Sequence, residues 1–305
     1  MSEQFDIAIV GAGPAGLTAA IYARRAGKKT LILEKSTFGG QITYSPRVEN
    51  YPGFPVLSGA ELADKLVDQA LTQGAEIEME TVTGIEGEAG DFTVHCEGCD
   101  YKAKAVIIAT GSRHRQLGLE NEERFTGEGV SYCAVCDGAF YKDMAVAVVG
   151  GGNTALQEAV MLSDICKSVV IVQNLPELTG EKMLIADVMK KDNIEVIFSA
   201  TVTELLGGER FEGIRIKTDT YEKNLQLDGL FVAIGQQPEN EPFEALAELD
   251  HYGYITAGED CTLKTQGVFT AGDCRTKSVR QVATAIADGA VAALAACRLV
   301  DSLNK

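Results

Sequence analysis

Cys133-Ala-Val-Cys136-Asp137 is the stretch in this 305-residue chain whose residue types and spacing most directly imply chemistry. Two cysteines separated by two residues can close a small disulfide ring. A carboxylate directly after the second can manage the protons that such a disulfide takes up and releases. Beyond Asp137, a strand is expected at Ala145 to Val149. It runs into Gly150-Gly-Gly152-Asn153-Thr154-Ala155, the pattern of a dinucleotide-binding turn. A redox pair beside a nucleotide site points to electrons passing from a nucleotide cofactor to a dithiol.

The elements needed to position such a pair can be read along the chain. The start, Met1-Ser-Glu-Gln-Phe5, leads directly into a buried strand to Val10. Gly11-Ala-Gly13-Pro14-Ala15-Gly16 follows, then an apolar-periodic helix to about Arg25 and a second strand, Thr30 to Leu33, closed by Glu34. Gly11 suits a tight turn, Gly13 the close approach of a pyrophosphate, and Gly16 helix-on-strand packing. Glu34 sits where a carboxylate accepts from adenosine ribose hydroxyls. The second turn repeats the first: Gly150 to Gln173 spans the same number of residues as Gly11 to Glu34. Two such units imply an α/β protein with two Rossmann-like dinucleotide-binding domains, one nucleotide held tightly and one exchanging.

Between the two units, Phe38-Gly-Gly40-Gln41 and Val48-Glu-Asn50-Tyr-Pro-Gly53 are irregular and polar, suited to gripping a ligand. Ser58 with Glu61 reads as a capping box opening a helix to about Thr72. Short strands follow to about Lys104. A buried strand from Ala105 to Ala109 is closed by Thr110-Gly111-Ser112. A polar link around His114, read as a surface histidine, marks a domain boundary. Later, Gly267-Val-Phe-Thr-Ala-Gly272-Asp273 is a strand ending in an acid. Arg280-Gln281-Val282 opens an alanine-rich helix whose N-terminus favours negative charge.

Composition limits the partners. The net charge of −17 argues against nucleic acid and anionic membranes. No apolar run of about 18 residues stands out, so no membrane span is expected. With no signal-peptide layout, the expected compartment is the reducing cytoplasm. His95-Cys96-Glu-Gly-Cys99 is a second CxxC. A zinc site shared with Cys133 and Cys136 would need an unusually long gap, so no metal is expected. Cys166, Cys261, Cys274 and Cys297 lie singly and read as packing residues.

The four motifs, Gly11–Gly16, Cys133–Asp137, Gly150–Ala155 and Gly267–Asp273, resemble in order and spacing the low-molecular-weight thioredoxin reductases, over essentially the whole chain. The resemblance implies a homodimer. It implies FAD in a discontinuous domain, residues 1–115 with 245–305, and a nicotinamide cofactor, NAD(P)H, in an inserted domain, residues 116–244. It assigns Asp273, Arg280, Gln281 and Val282, with Gln41 and Asn50, to FAD. Cys136 becomes the flavin-proximal sulfur, Cys133 the one that attacks a thioredoxin-like protein disulfide, and Asp137 the general acid. The inserted domain of the family swings between two orientations.

One departure is large. The family carries a His-Arg-Arg run and a further arginine that clamp the 2′-phosphate of NADPH. Here the stretch reads Gln173-Asn174-Leu175-Pro-Glu177-Leu-Thr179, with no basic residue. NADH is therefore expected over NADPH, with Gln173 as a ribose contact. Three alternatives stand beside this reading: a reductase fed by ferredoxin or reduced flavin, a dithiol oxidase passing electrons to oxygen, and a non-enzymatic flavin redox sensor.

Overall fold

The computed structural model describes residues 4–45 and 48–303. Met1–Glu3, part of the expected entry to the first strand, lie outside the described residues. The chain divides into two compact units, Met1–Arg113 with Gln237–Lys305, and His114–Gln236. The return crossing thus falls at 236/237, earlier than the 244/245 expected. The reason is Asn240. Its side chain donates to Gly253 O and Cys274 O and accepts from Thr110 Oγ1, all in the first unit.

The first unit is built on a parallel sheet. Strand Gln4–Val10 lies between Thr30–Glu34 and Tyr101–Ile108, and Glu76–Met79 adds to the outer edge of Thr30–Glu34. Side chains alternate across it. Ile7, Ile9, Ile32 and Ile107 join one core, while Ala8, Val10, Leu31, Leu33, Val106 and Ile108 join the other. Strand Tyr101–Ile108 is longer than the Ala105–Ala109 expected. Its far edge is shared: Tyr101–Ala103 pair antiparallel with Phe92–Val94, and Val106–Ile108 pair parallel with Val268–Thr270. Helix Gly59–Thr72 opens with the full reciprocal capping box of Ser58 and Glu61.

Helix Val282–Leu303 is long and apolar enough to cross a membrane. No such run was picked out from the sequence, because Asp288, Arg298 and Asp301 interrupt it. It packs instead on helix Pro14–Arg25. A Cβ on Gly289 would lie 2.2 Å from Ala15 O, so only glycine allows this approach.

The second unit repeats the plan. Its parallel sheet runs Ile194–Ile197, Ser168–Val172, Ala145–Val149, Gly229–Val232, Val130–Ser131, beside a three-stranded antiparallel sheet. The chain therefore holds two Rossmann-like units. His114 is half-buried rather than a surface residue. Its ring stacks on Tyr132, and burial pushes its imidazole down to about 4.

Candidate active site

Both glycine turns are built alike. Gly11 and Gly150 take φ of +107° and +131°, and a Cβ on either would strike the carbonyl oxygen of Ala109 or Ala233, at the end of the neighbouring strand. Only glycine fits there. Their N–H groups donate to Leu33 O and Val172 O. The loop after the second strand also returns to the turn in both units, Gly39 N–H to Ala12 O and Thr179 N–H to Gly151 O. At the third motif position, a Cβ on Gly16 would collide with Gly11 O; the second unit carries Ala155 there instead, fully buried. Pro14 occupies the first turn of its helix, where a missing N–H costs nothing.

The first cradle fits FAD on its own geometry. Gly13 and Gly152 cap their helices without a side-chain hydrogen bond, leaving N–H groups for an anion. No atom lies within 4 Å of a Cβ on Gly13. Gly40 packs next to Gly13, and Gly111 has open space above it. Glu34 is buried. Its Oε2 accepts from Ala12 N–H at 2.7 Å and its Oε1 from Ser36 N–H at 2.9 Å, with lone pairs left for ribose. Asp273 Oδ1 and Arg280 Nε are buried without a hydrogen-bond partner. Burial raises the Asp273 carboxyl, against Lys277 and Arg280. Asn50 donates to Gln281 Oε1, bringing two expected FAD contacts together. Gln41 lies in the turn Gly40–Tyr44, and Arg280 and Gln281 lead into the helix that starts at Val282. Asp273 Oδ1 still faces Lys277 Nζ at 3.8 Å, and two buried polar atoms without a hydrogen bond suit a polar ligand.

Three residues not singled out from the sequence organise this corner. Asp288 accepts a fork from Arg275 (Nε to Oδ2 and Nη2 to Oδ1, both 2.9 Å), Lys277 Nζ at 3.0 Å and Gly272 N–H at 3.0 Å. This ties the loop after Asp273 to the helix. The available signal was spacing, since Asp288 falls three after buried Ala285 and four before buried Ala292.

In the second cradle, Gln173 replaces the acid. It is buried, with Nε2 donating to Glu177 O and Oε1 accepting from Asn174 N–H. One hydrogen and one lone pair remain, so the ribose contact expected of it is available only in part. Asn153 and Glu181 bond reciprocally across the turn, and Thr154 follows Asn153 at the start of the helix.

The redox turn lies in this second unit. Cys133 and Cys136 form a disulfide, with Cα atoms 5.3 Å apart. Ala134–Asp137 make one helical turn in which Cys136 and Asp137 N–H donate to Cys133 O. Ser131 Oγ–H donates to Asp137 Oδ2 at 2.6 Å and accepts from Cys133 N–H at 3.1 Å. Asp137 Oδ1 is buried and unpartnered, and burial raises its carboxyl, partly offset by Ser131. Glu158, on helix Asn153–Ser163, accepts from Ala134 N–H at 3.3 Å. Its burial pushes it up to about 7. Neither Ser131 nor Glu158 was singled out from the sequence. Cys96 and Cys99 lie in the other unit as free thiols, and burial raises Cys96 to about 12. Among the described residues, no group of three His, Cys, Asp or Glu could hold a metal.

A disulfide with a buried acid, in a chain of two dinucleotide cradles, defines a flavin- and nicotinamide-linked disulfide oxidoreductase. Residues 5–289 match the family described as Pyridine nucleotide-disulphide oxidoreductase, and the chain belongs to it. It is 39% identical over 304 residues to a thioredoxin reductase of Listeria monocytogenes, covering 99% of this chain and 95% of the relative. It is 40% identical over 297 residues to a "34.2 kDa protein in rubredoxin operon" of Clostridium pasteurianum, 96% of each. The crystal structure of thioredoxin reductase from Streptococcus pyogenes superposes with a TM-score of 0.94 at 35% identity, over 99% of this chain and all of that one.

Proposed function

We propose that this chain is a thioredoxin-disulfide reductase, passing electrons through FAD to Cys133–Cys136 and on to a thioredoxin-like protein. The observation that carries the reading is the disulfide in the unit of the second glycine turn, its acid Asp137 tied to Cys133 through Ser131. When bound, FAD supplies two-electron chemistry between a nicotinamide and a disulfide. Gly11, Gly13, Glu34, Asp273 and Arg280 would hold it, with Gln41, Asn50 and Gln281 as further contacts.

The chain's own residues then manage thiol exchange. The Cys133 thiolate attacks the partner disulfide, and Cys136 displaces it from the mixed intermediate. Asp137 holds the proton that the departing thiolate takes. Gly150, Gly152 and Ala155 cradle the pyrophosphate of a nicotinamide, NADH over NADPH, because no arginine or lysine occupies Gln173–Thr179. The working form is a homodimer in the cytoplasm.

A second reading has a specific observation behind it. Gln173 spends both ends of its amide on its own loop, and one relative is named for a rubredoxin operon. Both favour a small iron-bearing electron carrier as donor. The test is anaerobic flavin reduction with NADH, NADPH and reduced ferredoxin offered separately, followed by turnover with thioredoxin. Flavin bleaching by NADH with thioredoxin turnover supports the first reading. Bleaching by ferredoxin alone transfers the donor role. No thioredoxin turnover with any donor removes the reductase assignment.

A further inference from the structure

Besides Asp137, the redox turn touches a second buried acid. Glu158 lies three residues after buried Ala155 and four before buried Leu162, on the inward face of helix Asn153–Ser163. Its Oε1 accepts from the N–H of Ala134, the residue between Cys133 and the rest of the turn. Its Oε2 is buried with no hydrogen-bond partner. The turn packs directly on this helix, Gly138 lying against Leu162 and Met161.

We propose that Glu158 is a proton-holding positioning residue of the dithiol, taking up a proton when the Cys133–Cys136 bond opens and returning it when the bond re-forms. The inference rests on the disulfide-reductase reading above. Opening the S–S bond consumes the electron pair supplied by that reaction and leaves two sulfurs, each carrying a proton or a negative charge. The protons come from solvent. Transfer to a partner disulfide sends two electrons and two protons onward, and Asp137 alone holds one.

The electrostatics favour this role. A half-partnered buried carboxylate is held on the edge of ionisation, and its pKa of about 7 is set first by burial, against the Ala134 bond. A new thiolate on the adjoining turn is a like charge that favours its protonation. The turn packed on its helix carries Cys133, Cys136 and Asp137, with Tyr141 just beyond. On the other packed helix, Lys182–Met189, Lys182 and Asp187 bear charge. Among the described residues none of these pairs with Glu158.

The test uses the full FAD-loaded chain and Glu158→Gln, which keeps an oxygen for Ala134 N–H and removes the titration. The disulfide–dithiol equilibrium is measured against dithiothreitol, with thiol trapping, from pH 6 to 8. The parent equilibrium constant should carry an extra pH dependence of up to about tenfold per unit, about 30 mV for two electrons, which the variant lacks. Asp137→Asn should retain it. Equal pH dependence in parent and Glu158→Gln overturns the proposal. If the variant does not fold, reduced-minus-oxidised infrared spectra of the parent near pH 7 decide. A gained carboxylic-acid carbonyl band that Asp137→Asn preserves supports it, and no such band overturns it. Thioredoxin turnover of the same parent sample is scored separately, so failure of the reductase reading is seen apart from failure at Glu158.

Discussion

Ser131 and Asp137 are joined by a 2.6 Å hydrogen bond from hydroxyl to carboxylate. The same hydroxyl accepts the backbone N–H of Cys133, so one buried oxygen fixes the acid to the first cysteine. A hydrogen bond to a charged group contributes about 1.5–3 kcal/mol. Ser131→Ala is therefore expected to slow thioredoxin reduction by about tenfold or more. Because the hydroxyl favours the ionised acid, its loss should also move the alkaline limb of the pH–rate profile, where Asp137 gives up its proton, upward. Steady-state turnover against pH checks both.

The cysteines themselves admit a sharper test. Cys133→Ser and Cys136→Ser should each abolish multiple turnover with thioredoxin while leaving bound flavin reducible by the donor. Stopped-flow absorbance separates the two steps. Turnover near the parent rate in either variant would move the redox pair elsewhere, with Cys96 and Cys99 next in line.

Cofactor choice follows from what is missing at Gln173–Thr179. A 2′-phosphate wants arginine forks. Leaving one partner of such a pair unmet costs about 2–5 kcal/mol, so kcat/KM for flavin reduction should favour NADH by a factor of tens or more. The paired substitution Asn174→Arg with Thr179→Arg should narrow the gap. A clear NADPH preference in the parent protein would refute this account.

Asp288→Asn should weaken the first unit. It leaves Arg275, 1% exposed, with only the exposed Glu259 carboxylate, 3.4 Å from Nη2. Breaking a buried pair costs about 3–5 kcal/mol. The expected outcome is a lower Tm and faster FAD loss on dilution, read by flavin fluorescence. An unchanged Tm would mean that the loop after Asp273 is held some other way.

Glu158 also sets a pH dependence of stability. Its folded pKa, about 7, lies above the ordinary 4.5, so the folded chain binds more protons than the unfolded one between those values. Stability from this group is therefore full below about pH 4.5 and falls as pH rises towards 7. The whole shift corresponds to roughly 3 kcal/mol. Comparing parent with Glu158→Gln by urea unfolding, the variant should gain relative stability at pH 8 over pH 5. An equal difference at both would contradict the burial argument.

Much of this architecture is legible before any coordinates, because it is written in local rules. Glycine at Gly11 and Gly150 is demanded by a left-handed turn under a neighbouring carbonyl, and each lies at the end of a run of buried strand residues. The acids that complete the redox turn and the flavin loop were harder to see. Glu158 and Asp288 are isolated carboxylates on helices whose alanine and leucine spacing already accounts for the pattern, and their partners lie in other elements. Ser131 is two residues from Cys133, yet a serine beside a cysteine carries no signal until the turn is folded. His114 was misread for a related reason. Flanking arginines suggest solvent, while the ring of Tyr132 that covers it is eighteen residues away.

The shared edge of strand Tyr101–Ile108 bears on how the chain is made. The strand Val268–Thr270 that completes it emerges about 160 residues later. At about 5–20 residues per second of synthesis, Val106–Ile108 waits roughly ten to thirty seconds with an unpaired edge. Residues His114–Gln236, by contrast, are contiguous and emerge entire. The nascent chain should therefore mature from the middle outward, the inserted unit becoming protease-resistant on the ribosome first. Limited proteolysis of chains stalled with residue 260 outside the tunnel should release an intact 114–236 fragment. Co-equal protection of residues 4–108 in that stalled chain would rule the order out.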